Sequence, residues 1–235
     1  LLEAKYKDSG KDGYPIIKEK FYDYYSKLVN EHEGHPSQPG AERGVFFELY
    51  KQYGYLPITT DSHLGEYLQW AYSVADHEGI MDFYDNYKKR CLSFYEDNSS
   101  YNKFFDTAET TKQERIVPII EGILNDSNVE ETAVNVSNKN YISQVTNGIV
   151  VEVPGIINKE GIKGIKLNNY PSAFGELLNN QTGTIKLTTD AVLNKSRHSA
   201  YLAMLADPVV DNAQSAEKLL NAILQFQNEY LGYLK

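Results

Sequence analysis

Residues 132–138 (TAVNVSN), 148–154 (GIVVEVP) and 161–167 (GIKGIKL) decide the fold class. Apolar, largely β-branched residues crowd into short runs there, and Gly, Asn and Pro punctuate them, which predicts three short strands. On either side the apolar rhythm is helical. Upstream, residues 13–33 repeat Ile17, Phe21, Tyr24 and Leu28 at three and four, with Pro15 in the first turn, where its missing N–H costs nothing. A second helix spans 42–53 and ends at Gly54; two more cover 64–97, divided near Gly79. Another runs over about 110–125, where Pro118 predicts a kink or a late start. Downstream, helices are expected over 171–180, 188–205 and 211–233, with Thr189 or Asp190 capping the second and Asp211 the third. Stretches 34–40 and 97–102 read as loops and 55–63 as irregular. Helices, a small sheet, then helices again exclude a doubly wound parallel sheet. The expectation is one α+β domain over 1–235, mainly helical with a small antiparallel sheet.

Composition excludes several function classes. The 235 residues carry a net charge of −9, which disfavours a general nucleic-acid binder, since that needs a basic face to displace counterions. With 41% hydrophobic residues and 19 tyrosines the chain is not a disordered tail. Cys91 is alone, which excludes a disulfide scaffold and fits a reducing, cytoplasmic compartment. No apolar run is long enough to span a membrane. A GxGxxG fingerprint and a P-loop are both missing from the sequence. The chain opens on Leu1 in an apolar LLEAKYK, and a preceding segment is expected.

Chemistry concentrates in TTDSHLGEYLQW, residues 59–70. Asp61, His63, Glu66 and Tyr67 stand where an irregular segment turns into a helix, a junction that exposes side chains and leaves backbone N–H groups for anions. A helix beginning near Ser62 places His63, Glu66 and Tyr67 on neighbouring faces. The plainer account makes Asp61 or Ser62 a helix cap, Glu66 the partner in a capping box and His63 an exposed polar residue. His32 and His35 flank a glycine in a solvated turn, His77 is placed at a helix end, and the pair Arg197–His198 suits a surface.

Longer stretches carry a resemblance. LLEAKYKDSGKDGYPIIKEKF (1–21), FFELYKQYGYLPITTDSHLGEYLQW (46–70), ERIVPIIEGILND (114–126), VNVSNKNYISQVTNGIVVEVPGII (134–157) and LAMLADPVVD (202–211) resemble, in order, the C-terminal catalytic region of glycoside hydrolase family 4. The resemblance implies a lactate-dehydrogenase-like C-terminal domain and a working enzyme that uses NAD and Mn2+. It also implies an N-terminal nucleotide-binding domain outside this chain, which holds the cofactor and metal sites, so this chain has no cofactor-binding or metal residue and is inactive alone. The implied reaction is oxidation at sugar C3, loss of the C2 proton to a base, elimination at C1, addition of water and return of the hydride. Asp61 is the expected base and Tyr67 the fallback, with His63 and Glu66 orienting the substrate. The expected substrate is an α-linked galactoside, glucoside or uronide. The expected partners are a small carbohydrate, the N-terminal domain and further copies in a homo-oligomer, with no nucleic acid and no membrane. Two rivals stand beside this reading. One is the C-terminal half of an NAD-dependent 2-hydroxy-acid dehydrogenase, which wants an arginine beside its histidine that this turn lacks. The other is a non-catalytic carbohydrate-binding or assembly module.

Overall fold

The computed structural model describes residues 3–30, 43–57, 59–96 and 115–235. The chain, expected from its sequence as one domain, gathers into two compact units, Leu1–Gln113 and Glu114–Lys235. The 34–40 and 97–102 loops, His32, His35 and the start of the helix expected from about 110 lie outside the described residues.

The first unit holds α1 (Tyr14–Asn30), α2 (Gly44–Tyr53), the short α3 (Asp61–Leu64), 3₁₀ turns at Gly65–Tyr67 and Gln69–Ser73, and α4 (His77–Glu96). Its core is aromatic: Phe21 of α1 packs on Phe46 and Tyr50 of α2, with Phe47 and Leu56 at the edge. The Phe21 and Tyr50 rings approach to 3.7 Å between centroids. At the head of α1 the buried Tyr14 hydroxyl accepts the Leu56 N–H at 3.0 Å, tying the chain beyond α2 back to α1. Gly54 closes α2 in the left-handed region, φ 73°, as its position after the helical run predicts. The break expected near Gly79 falls earlier. Asp76 Oδ1 accepts the Gly79 N–H at 2.9 Å, so an aspartate cap sets the start of α4 and Gly79 lies inside its first turn. His77 therefore opens a helix instead of ending one, and its Nε2 sits 2.7 Å from the Tyr72 carbonyl.

In the second unit, β1 (Val129–Ser137), β2 (Val150–Asn158) and β3 (Gly161–Gly164) form an antiparallel sheet in the order β1-β2-β3. The α+β expectation holds, including the small antiparallel sheet. Proline belongs at strand edges or bulges, because it cannot donate to the ladder. Pro154, in the central strand, meets that condition: the β1–β2 register shifts between Glu131 and Val134, opposite it. Gly155 beside it is fixed by contact, since a Cβ there would meet Val134 Cγ2 at 2.5 Å. Ile142, Val145, Val151 and Val153 form the core under the sheet. The loop between β1 and β2 is organised by Asn138, which is almost wholly buried. Its amide N–H groups reach the carbonyls of Ile142 and Val145 at 3.0 and 2.7 Å, and its Oδ1 accepts from Tyr141 and Ile142 N–H at 2.8 and 3.2 Å.

The helices of this unit are α5 (Ile116–Leu124), α6 (Ser172–Asn179), α7 (Thr182–Leu193), α8 (Arg197–Ala206), α9 (Ala213–Phe226) and α10 (Asn228–Leu231). Pro118 falls in the first turn of α5, the position it tolerates. The helix expected over 188–205 is two helices. Lys195 adopts φ 53° and Ser196 caps α8 by accepting the Ser199 N–H. Thr189 and Asp190 lie inside α7, and the cap of α9 is Asn212, not Asp211. Among the described residues no helix is long and apolar enough to cross a membrane.

Candidate functional site

The turn at 59–70 lies wholly in the first unit, and its anchor is Asp61. This side chain is 1% exposed. Its Oδ1 accepts the N–H groups of Val45 and Phe46 at 3.0 and 3.2 Å, and its Oδ2 accepts the Asp76 N–H at 3.0 Å. The first two are orphan donors at the start of α2, where a negative charge is favoured. Asp61 therefore caps α2, a helix before its own, and clasps it to the segment that starts α4. Burial pushes its carboxyl above the usual carboxylate range, against the backbone N–H groups of Asp76, Val45, Phe46 and Gly44, which hold it down. Gly44 makes the clasp sterically feasible: a Cβ there would lie 2.0 Å from the Val74 carbonyl oxygen and 3.3 Å from Asp61 Oδ2.

With Asp61 turned inward, the other three residues project outward. His63 Nδ1 lies 3.1 Å from Ser62 Oγ and 3.3 Å from Thr60 Oγ1. Glu66 Oε1 accepts the Tyr84 hydroxyl at 3.0 Å. Tyr67 is 54% exposed. The expected continuous helix through these residues is not formed: α3 ends at Leu64 and passes into the Gly65–Tyr67 3₁₀ turn. The capping box is not formed either, because the N-cap of α3 is Thr60 and it makes no side-chain cap bond. The structure thus brings His63, Glu66 and Tyr67 to one exposed turn and sets Asp61 beneath it. Sequence reading missed Gly44, Asp76 and Tyr84. An Asp three residues before Gly79 is a legible cap signal, whereas the Gly44 and Tyr84 contacts join distant parts of the chain.

Fold and turn define a class, a helix-rich chain with one unit that sets a polar turn on a buried carboxylate and another that holds a small antiparallel sheet. The same fold is seen in the lplD protein of Bacillus subtilis (TM-score 0.69, 24% identity, 94% of this chain and 52% of that one). It recurs in a 6-phospho-α-glucosidase from gut microorganisms solved with NAD and Mn2+ (TM-score 0.55, 20% identity, 97% of this chain and 52% of that one). The chain belongs to glycosyl hydrolase family 4: residues 1–210 match the family's C-terminal domain. Among characterised relatives, an α-glucosidase of Erwinia rhapontici is 36% identical over 260 aligned positions, covering 100% of this chain and 55% of the relative. An α-galacturonidase of Bacillus subtilis is 24% identical, covering 90% of this chain and 48% of the relative. The chain spans about half the length of these relatives.

Proposed function

We propose that this chain is the substrate-side portion of a family 4 glycosidase that cleaves an α-linked glucoside, galactoside or uronide. The observation that carries the reading is the match at 36% identity to an α-glucosidase over the whole chain. The uronide option draws support from the α-galacturonidase relatives. Cofactors of the NAD and Mn2+ type find support in the 6-phospho-α-glucosidase structure that holds both. Bound beside the substrate, they would supply reversible oxidation at C3 and polarisation of the sugar oxygens. The described residues do not fit the metal as a site of their own: no group of three or more His, Cys, Asp or Glu stands close enough to hold an ion. The metal is therefore not assigned to the described residues, and a separate nucleotide-binding portion is part of the proposal, as are assembly into an oligomer and a cytoplasmic location.

The share of the chemistry left to this chain is to present the sugar with exposed polar groups on a fixed turn. Glu66 and His63 orient hydroxyls, and Tyr67, exposed and one residue from Glu66, is the proposed acceptor of the C2 proton. Asp61 fits that role poorly. Both of its oxygens already accept backbone N–H groups, and a general base must itself reach the proton it takes. Its proposed part is to hold the turn in place. In the full-length enzyme, Tyr67→Phe is expected to slow turnover of an α-glycoside by roughly 10²–10⁴, the usual worth of a positioned base, and to slow exchange of the substrate C2 hydrogen with deuterated solvent equally. Wild-type exchange in Tyr67→Phe removes the tyrosine from this role. Failure of the wild-type enzyme to cleave any α-glycoside in the presence of NAD+ and Mn2+ defeats the functional reading itself.

A further inference from the structure

Beside the turn, α4 carries a row of aromatic rings that the proposed chemistry leaves unused. Phe83 and Tyr87, one helical turn apart, have centroids 6.0 Å apart and ring planes within 19° of each other. At one end of the row Phe83 meets the His63 ring at 6.3 Å, and the neighbouring Tyr84 hydroxyl donates to Glu66. At the other end the Arg90 guanidinium lies 5.9 Å from the centre of the Tyr87 ring. Aromatic rings on a helix stabilise a fold by being buried. Tyr87 is instead 53% exposed, on a row that joins the polar turn without a break.

We propose that the Phe83–Tyr87 ledge is the subsite for the leaving-group sugar of the α-glycoside, a second hexopyranose ring. This rests on the glycosidase reading above. A pyranose has a face of C–H bonds and a rim of hydroxyls. The C–H face is drawn to the negative face of an aromatic ring, and the rim needs donors and acceptors at its edge. The ledge supplies both: rings from Phe83 and Tyr87, an acceptor in Glu66 at the turn and donors in Arg90 at the far end. The direction fits as well. The reacting ring belongs over Glu66 and Tyr67, and the row runs from His63 outward along α4 at about 5.4 Å per helical turn, the way a second ring has to extend.

The test uses the full-length enzyme and two substrates sharing the reacting sugar, an α-linked disaccharide and the methyl α-glycoside. Tyr87→Ala is expected to raise the ratio of disaccharide KM to methyl glycoside KM about tenfold, in line with the loss of one aromatic contact. Tyr87→Phe, which keeps the ring, restores the wild-type ratio, and Phe83→Leu, which keeps apolar bulk without a ring, raises it. An unchanged ratio in Tyr87→Ala, or a rise that Tyr87→Phe fails to reverse, overturns the subsite. Should the wild-type enzyme cleave neither substrate, the glycosidase reading falls separately. Calorimetric titration of the same disaccharide into wild type and Tyr87→Ala then decides the ledge: weaker binding by the variant supports it, and equal or undetectable binding overturns it.

Discussion

Replacing Asp61 with asparagine separates a clasp from a base. The side chains are nearly the same shape, but Asn has one oxygen where Asp has two. If that oxygen takes the place of Oδ1, it keeps the Val45 and Phe46 donors as neutral hydrogen bonds. Its NH2 then faces the Asp76 N–H, donor against donor, where Oδ2 accepted at 3.0 Å. A charge-assisted bond of about 1.5–3 kcal/mol is lost and a buried donor is left unsatisfied at about 1–3 kcal/mol, while removal of a buried charge returns part of that. The net destabilisation of the first unit is expected at about 2–3 kcal/mol. Asp61→Ala, which strips all three acceptor contacts, should exceed it. The sequence holds one tryptophan, Trp70, in the 3₁₀ turn Gln69–Ser73, between the two segments that the clasp joins. Its fluorescence during urea denaturation therefore reports this unit. An Asp61→Asn midpoint equal to wild type refutes the clasp. If turnover in that variant nonetheless fell by roughly 10²–10⁴, proton abstraction would return to Asp61.

Gly44→Ala should disrupt the same joint more severely, since its Cβ has no room against the Val74 carbonyl; a folded protein with wild-type Trp70 fluorescence would contradict that geometry. Asn138→Ala leaves two carbonyls and two N–H groups of the β1–β2 loop without their partner, and thermal unfolding should show a loss of about 3 kcal/mol, with less than 1 kcal/mol counting against the account. Arg115 binds the buried Glu131 through two guanidinium nitrogens and holds its carboxyl below the usual range. That contribution is complete above the unfolded glutamate value, near pH 4.3, and fades as pH falls through the lowered folded value. The protection of the β1 and β2 amides against hydrogen exchange, taken relative to the unfolded chain at the same pH, should accordingly fall in acid in wild type, and Glu131→Gln should flatten that dependence. An isolated chain of these 235 residues is expected neither to bind NAD+ by calorimetry nor to cleave glycosides, and tight NAD+ binding would overturn the proposed division of labour.

The three strands are legible in the sequence because alternation and punctuation are local: Val134, Val136, Val151 and Val153 declare themselves within a few residues. The stops at Gly54 and the tolerated Pro15 are local too. Boundaries decided by competing caps are harder to read. Asp76 sets the start of α4 although Gly79 looks like the breaker, and Ser196 splits a helix whose apolar rhythm continues across the break. The site divides in the same way. That Asp61, His63, Glu66 and Tyr67 share a turn follows from their spacing, but which of them faces inward depends on the Val45 and Phe46 N–H groups at the start of α2 and on a carbonyl at Val74. The composition of residues 59–70 carries no trace of either.

The close approach of Gly44 to Val74 also bears on how such a chain can change by descent or by design. Gly44, Asp61 and Asp76 form one joint, in which the glycine admits the carbonyl, the first aspartate spans the gap and the second provides the N–H that completes it. A side chain at Gly44 or loss of the carboxylate at Asp61 undoes the joint, whereas the Asp76 N–H is a backbone donor that any residue but proline supplies there. The chain running between them is held along its length as well, by Phe46 and Tyr50 against Phe21 and by the Leu56 N–H on the Tyr14 hydroxyl. Freedom to vary lies instead at outward-facing positions such as His63, Glu66 and Tyr67, which makes the joint a fixed frame and the exposed turn above it the place where new specificities can be tried.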